Sequence, residues 1–89
     1  MDWNEKLFQE SITEWVWEFY VTPVLKGNQS EFGRKLGWTD GRKVRAALAK
    51  ERRWQIGDLF RIANLLNSKP SYILAQVELF YETRKNNRK

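Results

Sequence analysis

Arg42, Lys43 and Arg45 stand almost side by side, with Arg34 and Lys35 before them and Lys50, Arg52 and Arg53 after. A guanidinium carries a fixed fork of donors that matches a phosphate or the edge of a guanine, whereas an ammonium is a mobile point charge. From Arg34 to Arg53 the chain holds eight such bases against Asp40 and Glu51, while from Met1 to Thr22 it holds five acids against Lys6 alone. The net charge of +5 is therefore segregated along the chain. A basic middle behind an acidic start implies an anionic partner met by one face. Two short helical patterns around a glycine turn, from Gln29 to Arg53, carry these bases, and that combination suggests DNA.

Other chemistries lack their parts. The 89 residues include neither cysteine nor histidine, which removes disulfides, thiolate nucleophiles, the commonest zinc ligands and the commonest general base. Glu14 and Glu18 lie one helical turn apart with no basic or histidine partner, so they read as a solvated acidic face rather than a catalytic pair. Asp40-Gly41 reads as a turn or cap, since the further ligands of a calcium loop are missing. No glycine-rich phosphate loop is present and no hydroxyl has an evident activating base. We expect no enzyme, no cofactor, no metal and no small-molecule ligand. Apolar runs such as Trp15-Val16-Trp17 fall far below the roughly 20 residues of a membrane span. The acidic start differs from a basic signal-peptide start, so the expected compartment is cytoplasmic.

The elements that must position the bases follow from apolar spacing. Phe8, Ile12, Trp15, Val16 and Phe19 form one stripe, and Trp17, Tyr20, Val21 and Val24 a second displaced around the same helix, from about Asp2 to Tyr20. Pro23 should draw Thr22 out of helical geometry, and Lys26-Gly27-Asn28 reads as a cation, a left-handed cap and a turn. A second helix is expected from about Gln29 to Leu36, with Phe32, Gly33 and Leu36 inward and Gly37 closing it. Gly33 sacrifices up to about 1 kcal/mol of helix propensity, which argues for close approach of another helix. Trp38 should anchor the turn in the core.

Thr39 and Asp40 are both good N-caps for a third helix running to about Lys50. Val44, Ala47 and Leu48 form its inward stripe, with Arg42, Lys43, Arg45, Ala46 and Ala49 outward. A fourth helix, about Gln55 to Leu66, has Ile56, Leu59, Phe60, Ile62, Ala63 and Leu66 at helical spacing, and Asn67 and Ser68 end it. Pro70 suits the first turn of a fifth helix whose apolar face is Ile73, Leu74, Val77, Phe80 and Tyr81. The residues from Arg84 to Lys89 should fray.

The stretch Gln29-Ser30-Glu31-Phe32-Gly33-Arg34-Lys35-Leu36-Gly37-Trp38-Thr39, followed by Val44, Ala47, Ile56, Leu59, Ile62-Ala63 and Leu66, resembles the phage repressor and Cro family of helix-turn-helix domains. Gln29, Phe32-Gly33, Leu36-Gly37 and Thr39 or Asp40 match that family's opening glutamine, apolar-small pair, apolar-glycine turn and polar cap. Val44 arrives one position later than in the family pattern, which lengthens the turn by one residue. The resemblance covers about Val24 to Leu74. It implies an all-α, compact bundle of about five helices containing a helix-turn-helix, here with an extended aromatic N-terminal helix and a long C-terminal one. The chain then reads as one domain, with the aromatic helix at 1–22, the helix-turn-helix core at 24–74 and the end of the last helix with its basic tail at 75–89.

The resemblance further implies a sequence-specific regulator of the repressor kind, from a phage, a plasmid or a bacterium, that places a recognition helix of about 40–50 in the major groove of double-stranded DNA. Arg42, Lys43, Arg45, Ala46 and Ala49 are the candidates for reading bases. Asn28, Gln29, Lys35, Thr39, Lys50, Arg52 and Arg53 are the candidates for phosphate.

The aromatic start has its own implication. Trp3, Leu7, Phe8, Ile12, Trp15, Val16, Trp17, Phe19 and Tyr20 nearly surround their helix, more than one buried face requires. Either two copies meet there, with Trp3, Phe8, Trp15, Trp17 and Tyr20 as the interface of a homodimer on a palindromic site, or this helix and the fifth cover each other within one chain. An alternative to DNA binding is a protein-binding adaptor or inhibitor that uses the aromatic helix on the same scaffold.

Overall fold

The computed structural model describes residues 3–38, 41–49 and 53–87. Five α-helices, and no strand, occur among them: α1 (Glu5–Val16), α2 (Gln29–Lys35), α3 (Gly41–Leu48), α4 (Ile56–Leu65) and α5 (Pro70–Asn87). The all-α expectation holds. Local chemistry sets most of the boundaries. Asn4 starts α1 by accepting from the Leu7 N–H at 3.0 Å, and Asn28 starts α2 by accepting from the Glu31 N–H at 3.0 Å. At α4 the Asp58 carboxylate reaches back to the Gln55 N–H at 3.0 Å. Pro70 opens α5, where its missing N–H is no loss.

The α2 terminus is a Schellman turn. Gly37 takes φ +77°, its N–H donates to Arg34 O at 3.1 Å and the Trp38 N–H donates to Gly33 O at 2.8 Å. Asn67, with φ +54°, closes α4 in the same way.

The first segment departs from a single helix over 2–20. After α1 the chain widens into a π-helical turn at Trp17–Val21, with the Thr22 N–H donating to Trp17 O at 2.9 Å. One extra residue in this turn shifts every later side chain around the axis. Tyr20 and Val21 thereby join the inward line of Ile12, Trp15 and Val16, while Phe19, expected inward, turns out. The rest of the two displaced stripes forms one face interrupted by a wide turn, whereas Val24, also expected inward, is 52% exposed where the chain leaves the helix. Thr22 keeps helical angles despite Pro23, φ −67° and ψ −53°, and the chain leaves the segment through Lys26 and Gly27, both with positive φ.

α1 and α5 pack against each other, α2 against α3 and α4 against α5. Ile73, Val77 and Tyr81 of α5 are buried and Leu74 and Phe80 half-buried, as the spacing predicts. The expected fraying is corrected for Arg84 to Asn87, because α5 continues to Asn87, while Arg88 and Lys89 lie outside the described residues. Arg84 gives the reason, since its guanidinium pairs with Glu14 and, at 3.6 Å, with Glu10 on α1. On α4, Leu59, Ile62 and Ala63 are buried, but Ile56 and Phe60, expected inward, are 67% and 55% exposed. Ten residues present a buried arc too narrow to take in both flanks of the apolar stripe.

An aromatic cluster fills the centre. Phe32 lies 5.7 Å from Trp38 and 6.3 Å from Trp54, and the two tryptophans are 6.0 Å apart. Trp38 thus anchors the turn in the core as expected. No helix among the described residues is long and apolar enough to cross a membrane.

Candidate nucleic-acid interface

The position of α3 is fixed from behind. Val44 and Ala47 are buried, and Gly33 of α2 is the residue that lets Val44 in: a β-carbon at Gly33 would stand 2.7 Å from Val44 Cγ2. The close approach inferred from Gly33 is present, and the late-arriving Val44 is the side chain that occupies it. From α1, Thr13 Oγ1 accepts from Trp54 Nε1 at 2.8 Å and lies 3.4 Å from the Ala47 carbonyl. Gln9 accepts from the Trp54 N–H and donates to Trp54 O at 3.3 Å. The residues after α3 are therefore held to α1 by a side chain that satisfies both backbone groups of one tryptophan. From α4, Arg61 donates to Leu36 O at 3.1 Å, capping the end of α2.

With Val44 and Ala47 inward, a residue every 100° or so around the axis decides what faces out. Arg42 and Ala49 fall directly opposite the buried pair, Arg45 and Ala46 to either side, and Lys43 on the flank beside Ala47. Arg42, Lys43, Arg45 and Ala49 are exposed and Ala46 is half-buried. All five candidate base readers thus have access to solvent, although Lys43 does not share the outward sector of the other four.

The phosphate candidates divide. Gln29 and Arg45 line one cleft of about 250 Å³ between α2 and α3, together with Ser30 and Val44. Asn28 is occupied in part as the α2 cap. Lys35 lies 3.8 Å from Glu31, which also takes Arg34 at 2.8 Å. Arg53 lies 3.7 Å from Glu5 across a wide-open surface. Thr39, Lys50 and Arg52 lie outside the described residues, as does Asp40, the other candidate cap of the third helix. Ser30 is the cleft residue that sequence reading missed; its only signal is its place beside Gln29 in the first turn of α2.

The expected interface aromatics need correction. Trp15 and Tyr20 are 3% and 2% exposed and belong to the chain's own core. The physical reason is the π-helical turn together with α5, which covers α1 within one chain. Phe8 and Trp17 are half-buried against that core. Trp3 keeps about half its surface, stacked 4.9 Å from Phe8 and 5.2 Å from Tyr81. Burial first, and the Glu31 carboxylate second, hold the Tyr20 phenol above its ordinary range.

No group of three or more potential ligand side chains able to hold a metal ion occurs among the described residues. Comparison with protein-family models, curated proteins and solved structures returns no match to this chain.

Proposed function

We propose that this chain is a sequence-specific regulator that binds double-stranded DNA in the manner of a repressor, with α3 lying in the major groove and two copies meeting a palindromic site. The observation that carries the reading is the outward face of α3. Arg42, Arg45 and Ala46 of a short helix, with Ala49 directly after its end, project from a face whose reverse is locked against Gly33, Thr13 and the aromatic cluster. A narrow, rigidly backed, basic and small-residue ridge suits a groove about 12 Å wide. Gln29 beside Arg45 in one cleft adds a polar edge where a backbone strand would pass. The adaptor alternative depended on the aromatic N-terminal helix as a docking face, and Trp15 and Tyr20 are withdrawn from that surface.

The test is duplex binding measured by fluorescence anisotropy for the native chain and for Arg42→Ala and Arg45→Ala. If six phosphates are neutralised, affinity drops roughly a thousandfold between 50 and 200 mM salt. Each arginine variant should weaken binding while its circular dichroism stays native. A flat salt response, or undiminished binding by the double variant, would reject the proposal.

A further inference from the structure

The chemistry of α3's outward sector goes beyond DNA binding in general to the kind of half-site it fits. Arg42, Arg45 and Ala46 of the eight-residue helix form that sector together with Ala49, the residue after its end. From Arg42 to Ala49 the axis advances about 10 Å at 1.5 Å per residue, or roughly three steps of 3.4 Å along a duplex. Only three or four base pairs therefore fall within reach of this face. The two arginines occupy the N-terminal end of the sector and the exposed alanine, Ala49, the C-terminal end.

The two residue types demand different bases. An arginine that enters the major groove offers two parallel donors, and guanine alone presents two adjacent acceptors, N7 and O6. Alanine offers no donor or acceptor. Pressed against adenine, guanine or cytosine, it would exclude water from a polar edge and leave that edge unpaired, at about 1–3 kcal/mol. Thymine is the base whose groove edge carries an apolar group, the C5 methyl. The methyl side chain of Ala49 is also short enough to let the α3 backbone approach that group closely. Ala46, half-buried and beside Arg42, narrows the ridge at the level of the arginines.

We infer that the half-site recognised by this chain is a guanine–thymine step sequence of three to four base pairs, with guanine read by Arg42 and Arg45 and a thymine methyl packed on Ala49. This rests on the proposed DNA-binding function, and it adds a direction: guanine lies under the N-terminal end of α3 and thymine under its C-terminal end.

Sites are selected from random duplexes with the full chain, and the best site is then resynthesised with single-atom changes. Deoxyuridine in place of the selected thymine deletes only the methyl, and should weaken binding about fourfold, the value of one buried methyl group. 7-Deazaguanine removes the N7 acceptor and should weaken binding roughly fivefold or more. Arg42→Ala and Arg45→Ala should each become indifferent to deazaguanine at one position, while both stay sensitive to deoxyuridine. A selected site that tolerates both replacements overturns the inference. So does persistent, salt-dependent duplex binding with no enriched half-site, an outcome that leaves DNA binding itself standing. Absence of binding to any duplex removes the parent reading, and this inference with it.

Discussion

Gly33 and Gly57 both sit within helices, and the space around them differs. Adding a β-carbon at Gly33 brings it to 2.7 Å from Val44 Cγ2, whereas nothing lies within 4 Å of the same atom at Gly57. Val44 is β-branched and buried, so it has no easy rotamer in which to move aside. We expect Gly33→Ala to lose about 1–2 kcal/mol, the strain of overpacking exceeding the gain in helix propensity. Gly57→Ala should gain about 0.5 kcal/mol, since the same propensity gain meets no obstacle near the helix start. Urea denaturation of the two variants checks the opposite signs. Adding Val44→Ala to Gly33→Ala should relieve part of the strain, and a fully additive pair would show that the contact is not the cause.

Between elements, Arg84 is the tie that decides how far α5 remains helical and how α1's acids are placed. Its side chain is a quarter exposed and shared between Glu10 and Glu14. Arg84→Met keeps the aliphatic packing and removes the cation that Glu10 and Glu14 share. The expected loss is about 1 kcal/mol, since partial exposure screens the pair. A cycle with Glu14→Gln should be less than additive, and an additive result would mean that the guanidinium contributes only through its stem. The Gln9 clasp on Trp54 is a second tie of this sort, joining α1 to the chain that follows α3. Neither tie is readable from a helix's own period, because each partner lies on another element. Gln9 and Trp54 are 45 residues apart, and their pairing is a property of the assembled bundle.

At the scale of the whole molecule, charge and dimensions bear on the proposed dimer. The acids of α1 face Arg84 and Arg53, while the bases of α3 project outward. The molecule measures 37 × 26 × 22 Å, and half-sites one helical turn of DNA apart are about 34 Å centre to centre. Two copies on such sites would meet with the 37 Å axis along the duplex and stand apart with either shorter axis there. With Trp15 and Tyr20 committed to the core, we expect association to depend on the DNA. Sedimentation should give two chains per palindromic duplex and a single chain in free solution at micromolar concentration. One chain per duplex at saturation would remove the dimer from the proposal.

The sequence by itself determined the five helices, the closing glycine Gly37 and the opening proline Pro70, the inward face of α5 and the segregation of charge. Each of these rests on a local period or on one residue's backbone preference. The resemblance to helix-turn-helix repressors drew on the same local signals, and Gly33 marked a close contact before its partner was known. Only the tertiary structure decided that Val44 is that partner, that Trp54 is core, and that Trp15 and Tyr20 face inward while Ile56 and Phe60 do not. Burial depends on what covers a face. For α1 the cover is a distant helix, and the wide turn at Trp17–Val21 breaks the period from which burial would otherwise be read.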